Sequence, residues 1–334
     1  MSQPTIKDVA KLAGVSISTV SRVMNNSKPV SREARRRVEE AIKKLDFKPN
    51  ELARSLVMKK SNSIGVLVKD IGIEYMAEII RGIEEIGKMY QFNILLTSTY
   101  GDLENSKKSV DFLYRKQVEG IIILSEDINQ EVLLKISEYK IPYIQLDKFY
   151  KANDYHTVTV DFNKAIQSMV DYLVGLGHRE IAYVSENVRY EIAENKLNGY
   201  KAAIARNKLK EHVIVTDAEE SELGMKAMDK IVKDKIAVTA IIFHDDMAAI
   251  KAISYCYDHD IKVPDEFSIT GFGNSKFSNL YRPRLTTIVE PFYDIGAVAM
   301  RWLIKYLNKD DKMDETIYLP TQIRERESTK RISW

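Results

Sequence analysis

Residues 5–26 read TIKDVAKLAGVSISTVSRVMNN. Thr5 followed by Asp8 forms an N-terminal cap, and Ile6, Val9, Ala10 and Ala13 repeat at helical spacing. Gly14 supplies the backbone freedom for a sharp turn, and Val15 plugs the angle between two helices. Ser16 caps the next helix, in which Val20, Val23 and Met24 face inward. Ile17, Ser18, Ser21 and Arg22 then share the opposite face. The spacing predicts a helix-turn-helix. Its second helix offers short side chains for base edges in a major groove and an arginine able to make two hydrogen bonds to guanine. Ile17 and Ser18 are the base contacts on this reading, Arg22 is the guanine reader, and Thr19 and Ser21 donate to phosphates. Thr5, Ser16 and Asn25 complete the DNA-facing set. The alternative is an amphipathic helix pair with these polar residues turned to water.

Ser31 caps a third helix with Ala34, Val38, Ala41, Ile42 and Leu45 as its buried stripe. Arg32, Arg35, Arg36 and Arg37 stay outside, some on phosphate and most on a solvated face. Residues 1–60 hold 14 Lys and Arg against 6 Asp and Glu, whereas the rest of the chain holds 36 against 42. A basic head on a mildly acidic body reads as a nucleic-acid module joined to a part that binds another ligand. Between them lies NELARSLVMKKS, residues 50–61. Asn50 can cap a helix there, with Ala53, Leu56 and Val57 on its apolar side. So short a helix must fold on a partner, and small Ala beside bulky Leu suits a wedge inserted in a minor groove.

The 334 residues are 45% hydrophobic and 29% charged, enough for two or three compact units. No apolar run of signal-peptide or membrane length occurs, so the expected location is the cytoplasm. Cys256 is the single cysteine, which excludes an internal disulfide and a cysteine-based zinc site. The histidines at 156, 178, 212, 244 and 259 show no metal spacing. GFGNSK lacks the third glycine of a nucleotide loop, and neither a Walker motif nor a Ser/His/Asp set is recognisable. Neither an enzyme nor a cofactor is expected.

From Ser63 the chain alternates strand-like and helical runs: SIGVLV, NILLTST, GIIIL, YIQL and TVTVD, then IAYVS, VIVTD, AIIF, FSITGF and TTIVEP. The pattern predicts two α/β lobes with parallel sheets and helices on both faces, crossed near 157–161 and 286–291. The helix from about 292 to 307 rejoins the first lobe, and TIYLPTQIRE adds a strand. Strand C-termini then meet at a cleft suited to a small ligand.

IKDVAKLAGVS with STVSRVMN, then VEEAIKKLDFKPNELARSL, then SIGVLVKDI resembles the lactose/galactose repressor family, through essentially the whole chain. The resemblance implies a homodimer on near-palindromic double-stranded operator DNA, with Leu56 of each subunit wedged at the central step. It also implies a periplasmic-binding-protein-like core. The expected divisions are 1–49 for the helix-turn-helix domain and 50–60 for the hinge. The first core subdomain takes 61–161 and 291–322, and the second takes 162–290 and 323–334. Lys196 in NKLNGYK and Asp245 in FHDDMAA match positions that line the family's cleft, though each can equally be a surface charge. Where members often carry GFD or GYDD, this chain reads GFGNS, so Gly273 and Asn274 replace carboxylates that accept from sugar hydroxyls.

In PFYDIGAVAMRWLIKYLNK, residues 291–309, Ile295, Ala299, Leu303 and Tyr306 form a buried stripe, and Asp294, Arg301 and Lys305 line up beside it, with Tyr293 and Trp302 flanking. Arg301 and Lys305 are like charges at i, i+4, which costs an isolated helix a few tenths of a kcal/mol and suits a phosphate. A solvated basic face is the other reading. This segment, with RGIEEIGKMYQFNI and RKQVEGIII, is similar to the carbon-catabolite branch of the family, whose corepressor is the serine-phosphorylated phosphocarrier HPr. The similarity places Tyr293, Asp294, Arg301, Trp302 and Lys305 on the docking helix and Met89 and Phe92 on the neighbouring patch. Trp302 stands where that branch has Leu, Gln322 where it has Arg, and Ile17-Ser18 where it has Met-Ala. The alternative reading is a repressor of a sugar operon, controlled by a small sugar or sugar phosphate in the cleft around Lys196, Asp245 and Asn274. An enzyme or solute-binding protein of the same two-lobed fold is the third class, disfavoured by the basic head.

Overall fold

Thr5 donates its hydroxyl and its backbone N–H to Asp8 Oδ2, at 2.7 and 2.8 Å, and these bonds start helix α1 (Ile6–Ala13). The same hydroxyl bond holds the Asp8 carboxyl below its ordinary range. Gly14 takes a left-handed φ of 63°, which lets the Val15 N–H reach back to the Ala10 carbonyl and turns the chain. Helices α2 (Ile17–Asn25) and α3 (Arg32–Leu45) follow. Val9, Val20 and Val38, one from each helix, are fully buried against one another with Ala10, Ala13, Val23, Ala41 and Phe47. The helical periodicity of the sequence places all of these but Phe47, which lies beyond the last turn of α3.

The computed structural model describes residues 4–25, 28–47, 61–125, 128–146, 156–185, 191–216, 222–309 and 316–332. The chain divides into two compact units, Met1–Ser61 and Asn62–Trp334. Asn50, Ala53 and Leu56 lie outside the described residues.

The second unit is built on two six-stranded sheets. The first arises from β1 (Ser63–Val68), α4 (Glu74–Met89), β2 (Asn93–Ser98), α5 (Leu103–Arg115), β3 (Gly120–Leu124), α6 (Gln130–Glu138), β4 (Tyr143–Leu146) and β5 (Thr157–Val160). The second arises from α7 (Phe162–Gly175), β6 (Ile181–Val184), α8 (Glu191–Arg206), β7 (His212–Ile214), α9 (Leu223–Lys233) and β8 (Ala240–Phe243), then α10 (Asp246–Asp258), β9 (Ser268–Gly273) and β10 (Thr286–Val289). Helix α11 (Phe292–Leu307) returns to the first sheet, where it packs on α4, and β11 (Thr316–Leu319) and β12 (Gln322–Arg324) close the chain. The first sheet is parallel throughout in the order β11-β5-β4-β3-β1-β2. The second runs β12-β10-β9-β8-β6-β7 and is parallel except for β12. The apolar runs GIIIL and AIIF are buried at every position, as strands covered on both faces require.

TIYLPTQIRE, read above as one added strand, is two. Pro320 has no N–H to extend a ladder, and the chain leaves the first sheet there: β11 pairs with β5, and β12 pairs antiparallel with β10. Gln322 therefore belongs with the second sheet, not the first.

Helices α4 and α11 approach as closely as backbones allow. A Cβ on Gly82 would stand 2.1 Å from the Tyr293 carbonyl oxygen, and one on Gly296 would stand 2.1 Å from that of Ile79. Gly296→Val should push the helices apart and cost about 1–3 kcal/mol of unfolding free energy, read from urea denaturation of the full chain. An unchanged midpoint would show that the crossing tolerates side chains.

Candidate nucleic-acid interface and effector surfaces

In the first unit, Ser16 organises the start of α2. Its hydroxyl oxygen accepts from the Thr19 N–H at 3.2 Å and shares hydrogen bonds with the Ser18 and Thr19 hydroxyls at 2.8 and 2.9 Å. Ile17 is 45% exposed although it is a large apolar residue, and Ser18 and Arg22 are exposed beside it. Thr19 and Ser21 are half-buried at the flank. The side chain of Asn25, the last residue of α2, lies outside the described set. Buried valines on one side and Ile17, Ser18 and Arg22 on the other give the two-faced helix that groove reading needs. On α3, Arg35 and Arg36 pair with Glu39 and Glu40 at 3.9 and 3.4 Å, the solvated face expected of that run.

In the second unit, α11 buries Ile295, Ala299 and Leu303 and presents Asp294, Arg301 and Lys305 outward. Two side chains differ from the sequence reading. Trp302 is only 6% exposed, packed inward with its ring edge-on to His156 at 6.0 Å, so it supports the helix from beneath and presents no docking surface. Tyr306 is exposed, because by the last turn the buried stripe has rotated to Leu307. The Tyr293 hydroxyl donates to Glu85 Oε2 of α4 at 2.7 Å, which holds its phenol above the ordinary range, and the Arg81 guanidinium lies 5.2 Å over the ring. Met89, at the end of α4, is 69% exposed, and Phe92 is half-buried just beyond it. The fold thus leaves Tyr293 tied to α4, Arg301, Lys305 and Met89 outward, and Trp302 inside.

The cleft residues are engaged within the protein. Lys196 is 7% exposed; its ammonium donates to the His244 carbonyl at 2.9 Å and lies 4.2 Å over the Phe272 ring. Asp245 caps α10 by accepting from the Ala248 N–H at 2.7 Å. Asn274 accepts from Arg326 Nη2 at 2.6 Å. A cavity of about 30 Å³ lies between Thr159, Val160 and Tyr318 on one side and Phe162, Glu191, Ile192 and Asn195 on the other. That is room for a water, not a sugar.

Sequence reasoning passed over Asp246 in favour of its neighbour, and the doublet in FHDDMAA gave no means of choosing. Asp246 is the buried member: it accepts from Thr287 Oγ1 at 2.5 Å and from the Ser275 N–H at 2.6 Å. Burial pushes its carboxyl up to about 6, although both hydrogen bonds oppose the rise. Among the described residues no group of His, Cys, Asp and Glu could hold a metal ion, and no helix is long and apolar enough to cross a membrane.

A helix-turn-helix head joined to a two-lobed α/β body defines a DNA-binding transcription regulator. The chain belongs to the lacI family of bacterial regulatory proteins: residues 5–50 match that family's model, and residues 170–329 match the periplasmic binding protein-like domain. It is 36% identical over 329 residues to catabolite control protein A of Priestia megaterium, covering 98% of this chain and 99% of that protein. Identity to the Staphylococcus xylosus protein of the same name is 33% over 328 residues, with the same coverage. The lac repressor dimer bound to operator and the anti-inducer ONPF shares the fold, with a TM-score of 0.88 at 24% identity over 98% of this chain and all of that one. The transcription regulator CcpA of Lactococcus lactis aligns with a TM-score of 0.73 at 26% identity, over 80% of this chain and 99% of that one.

The raised carboxyl of Asp246 has a definite sign. Folding disfavours its ionised form, so its contribution to stability is fullest below the unfolded carboxylate range and is lost as pH rises through about 6. Relative to wild type, Asp246→Asn should gain about 1–2 kcal/mol of unfolding free energy between about pH 5 and about pH 8, compared by urea denaturation. A difference independent of pH would show that Asp246 keeps an ordinary carboxyl.

Proposed function

We propose that this chain is a regulator of carbon catabolite repression that binds near-palindromic operators as a homodimer, with serine-phosphorylated HPr as its corepressor. The observation that carries the reading is α11: one face is locked into the first lobe, and Arg301 and Lys305 stand outward one turn apart. Two cations at that spacing repel in a bare helix and chelate a phosphate when one is presented. Met89 and Phe92 offer an apolar flank for the body of the phosphoprotein, and Asp294 an acidic one. The similarity to catabolite control protein A over the whole chain favours the same partner.

In this reading Ile17 and Ser18 meet base edges, Arg22 reads guanine, and Thr5, Ser16, Thr19, Ser21 and Asn25 fix the head on the backbone. Residues 1–49 act as the DNA-binding domain, and 50–60 as a hinge whose Asn50, Ala53 and Leu56 fold in the minor groove. Ile17-Ser18 in place of Met-Ala shifts the base preference. Control is by population shift: the core dimer exchanges between lobe arrangements, and the corepressor favours the one that brings the two hinges together. The protein acts in the cytoplasm, and the reading assigns it no catalysis.

Fluorescence anisotropy of a labelled pseudo-palindromic duplex with a central CG step, at fixed salt, tests the reading. Serine-phosphorylated HPr should tighten binding by about 5- to 150-fold, the range of ordinary allosteric coupling, and unphosphorylated HPr should not. Arg301→Ala should abolish most of that gain and leave corepressor-free binding intact. Equal curves with and without the phosphoprotein would transfer control to the cleft at Lys196, Asp245 and Asn274, where sugars and sugar phosphates would be screened.

A further inference from the structure

The segment 273–276, where carboxylates of the family are missing, is held from four directions. Gly273 has φ of 120°, a conformation L side chains rarely adopt, so a carboxylate at this position does not fit the path the backbone takes. Asn274 donates its N–H to Thr287 Oγ1 at 3.4 Å and accepts from Arg326. Ser275 donates its N–H to the buried Asp246. Lys276 then donates its N–H across to the other lobe, to Glu74 Oε1 at 2.9 Å. Glu74 opens α4, and its neighbour Tyr75 stacks on Phe292, the first residue of α11, with ring centroids 5.1 Å apart. A Cβ on Gly273 would stand 4.0 Å from that same Phe292 ring. One lobe therefore presents a braced loop and the other presents the acceptor that receives it.

We propose that residues 273–276 are an internal latch, with Glu74 as its catch, that holds the interlobe cleft shut in the absence of any ligand. Three features fit. The loop is fastened on its own side by Asp246, Thr287 and Arg326, so the reach of the Lys276 N–H toward Glu74 is fixed in advance. Beside the lobe crossing, the cavity between Thr159, Val160 and Tyr318 and Phe162, Glu191, Ile192 and Asn195 measures only about 30 Å³. Lys196, the cation available to a cleft ligand, is turned to the His244 carbonyl and the Phe272 ring. A small effector would have to break the latch before it could enter. The proposal goes beyond the corepressor reading and does not depend on it, because closure here involves neither HPr nor DNA.

Hydrogen exchange of the full-length protein alone, without DNA or corepressor, tests it, comparing wild type with Glu74→Ala and Glu74→Gln. Glu74→Ala removes the acceptor of the Lys276 N–H and should speed exchange several-fold in peptides covering 272–277. The same variant should also speed exchange in peptides covering 157–160 and 316–319, which line the cavity. Glu74→Gln keeps an acceptor oxygen and should show a smaller rise in the same peptides. It carries the test should Glu74→Ala lose its fold by circular dichroism. Faster exchange at 272–277 alone would reduce the contact to a local bond and overturn the latch, and unchanged exchange everywhere would overturn it outright.

Discussion

Everything the second unit presents to a partner depends on the crossing of α11 over α4. The helix arrives from the second lobe and is fixed by contact of bare backbone at Gly82 and Gly296, with no side chain between to take up slack. Ile295, Ala299, Leu303 and Trp302 then fill the space beneath. Once that face is committed, helical geometry decides the rest: Arg301 and Lys305 must point outward, at the spacing one phosphate can bridge. The charges are thus displayed by a rigid element, and a rotation of α11 would have to disturb the core of the first lobe.

Much of this was legible in the sequence, for physical reasons that differ by element. Strands covered on both faces must be apolar throughout, so GIIIL and AIIF announce a parallel sheet. The head was legible because its core repeats with helical period and its caps, Thr5, Ser16 and Ser31, are local chemistry. What stayed hidden depends on contacts distant in the chain. Trp302 lies beside the buried stripe on a helical wheel, and only the room near His156 draws it inward. TIYLPTQIRE reads as one strand until Pro320 separates two ladders in two sheets. Asp245 and Asp246 are equivalent in sequence; the fold makes one a helix cap and buries the other against Ser275 and Thr287, 29 and 41 residues away in the chain.

The two surfaces on which an effector could act are in opposite conditions. In the cleft, Lys196 and Asn274 are turned to protein partners, and the loop at Gly273 runs through a conformation that suits glycine. The outer face of α11 is open and basic. Phe292 joins the two regions, since it opens α11 and stacks on Tyr75 beside Glu74, so a shift of α11 would be felt at the mouth of the cleft. On the corepressor reading, that packed aromatic pair would couple a protein docked on α11 to the lobes behind it.

Linkage supplies the most direct test. If docking on α11 tightens operator binding, operator must tighten docking by the same factor. Isothermal titration of serine-phosphorylated HPr into this protein, alone and saturated with the pseudo-palindromic duplex, measures that factor from the opposite side. The expected result is tighter phosphoprotein binding in the presence of DNA, by the ratio found when the duplex is titrated. Equal affinities with and without DNA would mean that whatever docks on α11 has no influence on the DNA-binding head, and the central claim would fall.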